Sequence, residues 1–120
     1  MACKAEIRQV EDIAIVDLSG RITLGDGSGT IRDTVKSLVE KGQKKILLNL
    51  AGITYVDSAG LGELVGAFAT VRNQNGQIKL LNAQNKVRDV LQITKLYTVF
   101  DIFDSENTAL ISFRSKSASA

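Results

Sequence analysis

Hydrophobic positions first alternate, then fall into a helical stripe, then gather into short runs separated by further helical stripes. Ile7 and Val10 anchor the segment Ala5 to Val10, Glu11-Asp12 interrupts it, and Ile13 to Leu18 returns rich in β-branched residues. This pattern predicts a β-hairpin. From Gly20 to Gly29 the glycines and small polar residues predict a loop able to approach another surface closely. Ile31, Val35, Leu38 and Val39 then recur at helical spacing, with Asp26 or Ser28 placed to cap the helix and Gly42 placed to end it. Lys45 to Leu50 is a short continuous apolar run, as in a central strand buried on both faces.

A second helix is predicted from Asp57-Ser58 to Asn73-Gln74-Asn75-Gly76, with Leu61, Leu64, Val65, Phe68 and Arg72 along one face. Its other face carries Ala59, Gly62, Gly66 and Thr70, all small, and Glu63 is the only charge between Ser58 and Val71. Each interior glycine costs roughly 1 kcal/mol of helix propensity relative to alanine, so something other than propensity selects them. Two readings stand: the glycines allow helix to pack tightly on sheet, or they open a surface to a partner.

Ile78 to Asn82 reads as another strand, and Val87, Val90 and Leu91 as the apolar side of a helix starting near Asn85. Leu96 to Phe103 supplies a turn and a last short strand; Ser105 caps a final helix through Ala109, Leu110 and Phe113. Residues 114–120 are Ser, Ala, Lys and Arg, read as a disordered tail behind a domain spanning 1–113. A hairpin followed by alternating helices and strands predicts an α/β domain whose mixed sheet opens with the hairpin and is packed with helices.

Composition removes several functions. At 120 residues the chain makes one domain. With no histidine it cannot build a Ser-His-Asp or Cys-His nucleophile or a His-ligated zinc site, so no catalytic residue, metal or cofactor is expected. Fifteen Lys and Arg against 13 Asp and Glu are scattered rather than striped, which gives no reason to expect nucleic acid. No apolar stretch approaches the ~20 residues of a membrane span, and Met1 to Ala5 does not resemble a signal peptide. A cytoplasmic location is expected, with Cys3 incidental.

The informative segment runs from Leu50, through a turn, to Asp57-Ser58-Ala59-Gly60-Leu61-Gly62 at the helix start. Sites in open α/β sheets lie at such carboxyl ends of strands. Asp57 is placed to cap the helix by accepting the amide hydrogen of Gly60, leaving the Ser58 hydroxyl outward. A phosphoryl group there would meet the partial positive end of the helix.

This hexapeptide, preceded by Ile46 to Leu50 and Ile53 to Val56, resembles the STAS family of anti-sigma-factor antagonists, and the resemblance extends over about residues 5 to 113. It implies a STAS-type single domain and a phosphoacceptor at Ser58. It further implies partner-binding residues at Leu24, Gly25, Asp26, Gly27, Thr54, Tyr55, Asp57, Ala59, Gly60, Leu61 and Gly62. The partners implied are an anti-sigma factor that is itself a serine kinase, captured when Ser58 is free, and a PP2C-type phosphatase that restores the free form. One departure is Asn49, where the family strand commonly ends in Asp; Asn keeps a turn-compatible polar group.

Rival readings differ in chemistry. A stressosome-type scaffold subunit would keep the same acceptor serine. A serine hydrolase would need Val56 to be the first glycine of a nucleophile elbow, and a histidine the chain lacks. A receiver domain phosphorylated on Asp57 would need an acidic pair where Leu18-Ser19-Gly20 stands. Gly25 to Gly29 lacks the Gly-Lys-Ser/Thr ending of a phosphate loop.

Overall fold

The hairpin forms as the alternation requires: β1 (Lys4–Val10) pairs antiparallel with β2 (Ile13–Ile22) around Glu11-Asp12, Glu11 taking φ 56°. The computed structural model describes residues 4–22, 28–83, 85–93 and 101–119. After the hairpin come α1 (Ser28–Glu40), β3 (Lys45–Val56), α2 (Ser58–Asn73), β4 (Gln77–Leu81), α3 (Asn85–Ile93), β5 (Ile102–Phe103) and α4 (Glu106–Ser119). The strands lie in the order β1-β2-β3-β4-β5, antiparallel at the first pair and parallel at the other three. A mixed sheet follows from a hairpin feeding helical crossovers.

Alternation divides the core into two layers. Ala14, Val16 and Leu18 of β2 join Ile46, Leu48 and Leu50 of β3 beneath Ile31, Val35 and Leu38 of α1, Leu61, Leu64, Ala67 and Val71 of α2, and Val87 and Leu91 of α3. On the other face Ile13, Ile15, Leu47 and Leu81 meet Ala109 and Phe113 of α4. Lys45 to Leu50 is therefore covered on both sides, as its unbroken apolar run demands.

Several boundaries differ from the sequence reading. The expected turn after Leu50 is strand: β3 continues to Val56 because β2 also continues past Gly20 to Ile22, and the two extensions pair as Ser19↔Gly52 and Ile22↔Val56 across two register shifts. Gly20 takes φ 104° there, and a methyl on Gly52 would stand 2.8 Å from the Ser19 Cβ, so each glycine is required by strand irregularity rather than by a loop. The buried face of α2 is Gly60, Leu61, Leu64, Ala67 and Val71; Val65, expected inside, is 37% exposed. The helix α4 runs on to Ser119, over the segment read as a tail. Asp26 and most of the stretch from Leu96 lie outside the described residues, as do Leu24, Gly25 and Gly27.

Candidate functional site

The carboxyl ends of β2 and β3 converge on the first turn of α2. Asp57 is extended (φ −97°, ψ −177°), and its Oδ1 accepts from the Gly60 amide at 2.7 Å while its carbonyl accepts from the Leu61 amide at 2.8 Å. The Asp57 amide in turn donates to the Ile22 carbonyl at 3.2 Å. One residue thus caps the helix and ties it to β2. Gly60 completes the clamp, since a methyl on it would lie 1.9 Å from the Ile22 carbonyl oxygen.

This geometry fixes which motif residues face outward. Ser58 is exposed in the first turn, Ala59 is half-buried, and Gly62 is exposed one turn on. Gly60 and Leu61 turn inward, so they set the position of the surface rather than form it. On the neighbouring strand Tyr55 is 45% exposed, and the exposed Thr54 donates through Oγ1 to the Gly20 carbonyl at 3.2 Å. The first turn of α2 holds no acidic side chain. An anion at Ser58 would meet the helix dipole, with the capping Asp57 carboxylate as its acidic neighbour at that helix end.

The two readings of the small residues now separate. Gly60 is there for packing. Gly62 and Gly66 are not, because a methyl on either would meet nothing within 4 Å among the described residues. Glu63, the single charge of that stretch, leaves the surface: its side chain is 15% exposed and pairs with Arg32 of α1 at 3.2 Å. What remains along Ser58, Ala59, Gly62, Val65 and Gly66 is small or apolar and uncharged.

Two polar features lay below the reach of the sequence reading. Asn49 does not sit in a turn; it lies inside β3, donates to Asp17 Oδ1 at 2.7 Å, and accepts from the Ala51 amide at 3.1 Å and from Asn82 Nδ2 at 3.2 Å. Asp17 also takes a bidentate grip from Arg8, which extends to Glu106 of α4. The Arg8 hydrogen bond, then the Asn49 hydrogen bond, outweigh burial and hold the Asp17 carboxyl below its usual range; Asp17 and Glu106 raise Arg8. An aspartate at position 49 could not donate to Asp17. Lys79, a cation in a buried strand, is 5% exposed, donates to Ser112 Oγ at 2.9 Å and lies over the Phe113 and Phe103 rings at 4.9 and 5.5 Å. Polar letters inside apolar runs were the available signal.

A concavity of about 200 Å³ lined by Phe68, Arg72, Gly76, Gln77, Ile78, Lys79 and Asp101 lies by the amino end of β4 and shares no residue with the motif. Ser58 belongs to an open face.

Comparison with known proteins places this arrangement. The sequence model of the STAS domain matches residues 4–109. The anti-sigma-B factor antagonist of Bacillus subtilis is 30% identical over 102 residues, covering 85% of this chain and 92% of that protein. A crystal structure from Thermotoga maritima superposes with a TM-score of 0.85 at 24% identity, over 92% of this chain and 94% of that one. The Bacillus cell fate determinant SpoIIAA in its phosphorylated form superposes with a TM-score of 0.71 at 20% identity, over 92% and 99%. The antiparallel β1 and the use of Asp57 as a helix cap set the chain apart from a receiver domain.

Proposed function

The chain belongs to the STAS domain family, and from that premise we infer that it is a phosphorylation-controlled binding protein: an antagonist that captures an anti-sigma factor while Ser58 is free and so releases a sigma factor. The anti-sigma factor is a serine kinase that modifies Ser58, and a PP2C-type phosphatase reverses the modification. The chain supplies a hydroxyl and a docking face rather than catalysis.

The observation that carries this reading is the exposed Ser58 on the rim of a small, uncharged face against which no described residue packs at Gly62 or Gly66. Gly62 and Gly66 let a partner backbone come close, and the withdrawal of Glu63 to Arg32 keeps desolvation of that face inexpensive. A phosphoryl group adds about −1.5 to −2 charge units there. An unpaired charge in an interface costs on the order of 2 to 5 kcal/mol, or about 30-fold to several-thousand-fold in affinity. Switching therefore needs no refolding. The name of the Bacillus subtilis relative supports the partner class, and the phosphorylated form of SpoIIAA supports the modification.

The test is to incubate the protein with its candidate anti-sigma kinase and ATP, map the modified residue by mass spectrometry, and measure binding of both forms. Phosphate on Ser58 and loss of binding are expected. Phosphate elsewhere, or equal binding by Ser58→Asp and the native protein, would overturn the reading.

A further inference from the structure

Far from Ser58 in the sheet order, β1 is an edge strand: its inner side pairs with β2, and no described strand pairs with its outer side. The outward backbone groups of Ala5, Ile7 and Gln9 make a template for another strand, and proteins usually blunt such edges with proline, a bulge or charged side chains. Proline and bulge are absent, since the chain has no proline and β1 runs against β2 from Lys4↔Ser19 to Val10↔Ile13 without a register shift, while the charges it carries, Lys4, Glu6 and Arg8, are of both signs. In the middle of this edge Ile7 is 52% exposed. It faces the side of the sheet that carries α1, because its partner Val16 belongs to the core beneath that helix.

We propose that β1 pairs antiparallel with β1 of a second copy of this chain, about a twofold axis through Ile7, to give one continuous sheet. Three independent features select this register. The two-residue loop closes on Val10 and Ile13 as a hydrogen-bonded pair, so the backbone groups of Val10, Arg8, Glu6 and Lys4 point toward β2 and those of Ala5, Ile7 and Gln9 point outward. With the axis at Ile7, Ala5 opposes Gln9, Ile7 opposes Ile7 and Gln9 opposes Ala5, and every outward group of the strand finds a partner. Charge agrees: Glu6 of each copy then opposes Arg8 of the other, at the closer, non-hydrogen-bonded positions where cross-strand pairs interact most. Moving the axis to Glu6 sets Glu6 against itself and Lys4 against Arg8, and moving it to Arg8 sets Arg8 against itself. The third feature is burial, because this axis alone brings the two exposed Ile7 side chains together on the same face.

Arg8 can accept the additional acid. Its guanidinium has five N–H groups. Asp17 engages Nε and Nη2 while Glu106 engages Nη2 and Nη1, which leaves one N–H of Nη1 for Glu6 of the second copy. Glu6 is itself exposed. The interface is isologous and closes as a dimer.

Sedimentation equilibrium from micromolar to millimolar protein tests the proposal, together with concentration-dependent amide hydrogen exchange. A reversible monomer–dimer equilibrium is expected, with the Ala5, Ile7 and Gln9 amides gaining protection as concentration rises and those of Glu6 and Arg8, already bonded to β2, unchanged. Glu6→Arg places like charges together twice by symmetry and should weaken the dimer at least tenfold. Ile7→Asp should abolish it. Circular dichroism of each variant at the lowest concentration checks that the monomer is folded. A native protein that stays monomeric throughout, a dimer indifferent to Glu6→Arg, or protection confined to other amides overturns the proposal.

Discussion

Gly60 lies so close to Ile22 that a methyl on it would stand 1.9 Å from the Ile22 carbonyl oxygen, whereas the same methyl on Gly62 or Gly66 would meet nothing within 4 Å among the described residues. Two kinds of glycine therefore share one helix. The first is demanded by the contact between α2 and β2. The others cost the monomer helix propensity and return no packing, which is intelligible if the space above them is filled by a partner.

Alanine substitution should separate the two. Gly60→Ala forces the helix away from β2 and is expected to cost roughly 2 to 4 kcal/mol, read as a fall in the urea midpoint. Gly62→Ala and Gly66→Ala should each stabilise the monomer by about 0.5 to 1 kcal/mol while weakening capture of the anti-sigma factor in calorimetric titration. Stabilisation with undiminished binding would remove the argument that this face docks.

The cap and the acceptor should likewise part company. Asp57→Ala removes the acceptor for the Gly60 amide and should lower unfolding free energy by about 1 kcal/mol, while Asp57→Ser retains most of it. Ser58→Ala leaves the cap intact and should bind constitutively. Ser58→Asp should fold normally and fail to bind, with thermal melts and a binding isotherm as the paired readouts.

Acid should act through Asp17. Arg8, then Asn49, hold its folded carboxyl below the ordinary value of ~3.9. The unfolded chain therefore takes up the proton first as pH falls, and the stabilisation, complete above that ordinary value, is lost as pH drops through the lower folded one. Asp17→Asn should be less stable than the native protein at neutral pH by about 1 kcal/mol, and the gap should close as acidification carries the pH down through the lowered folded value of Asp17. Thermal melts across that range, at a single low protein concentration, measure it.

Lys79 offers a test of how a buried cation is tolerated. Its counterion Asp101 is 3.7 Å away and 59% exposed, so it stays solvated if the lysine is removed. Lys79→Met keeps the aliphatic bulk between Phe103 and Phe113 and should change stability by less than about 1 kcal/mol, in either direction. Lys79→Ala loses that bulk and should cost about 2 kcal/mol or more. Denaturant titration of the two variants decides between charge and volume as the reason for a lysine there.

Elements with their own period were legible in the sequence. The hairpin around Glu11-Asp12, the stripe Ile31, Val35 and Leu38, and the run Ile46 to Leu50 predicted strand, helix and central strand because burial on one or two faces leaves those spacings. The Asp57 cap was legible for the same reason: it is a local bond, spanning three residues. The extension of β3 through Gly52 to Val56 was not, since its glycine and exposed Thr54 and Tyr55 read as turn letters unless the matching extension of β2 is known. Val65 lies outside because the sheet receives the small Gly60 and Ala67 in place of the stripe that the large side chains suggest. Asn49, Asp17, Arg8 and Glu106 converge from three strands and a helix, a meeting that no spacing along the chain encodes.

The α/β class, the lack of histidine chemistry and the Asp57-Ser58 helix start can all be read from the chain alone, because composition and short-range hydrogen bonding need no distant partner. Which small residues of α2 are packed and which stand open among the described residues, the withdrawal of Glu63 to Arg32, and the edge position of β1 with Ile7 at its centre follow from the assembled fold alone. Those are properties of surfaces built from residues far apart in the chain, and a surface exists only once the layers have been assembled.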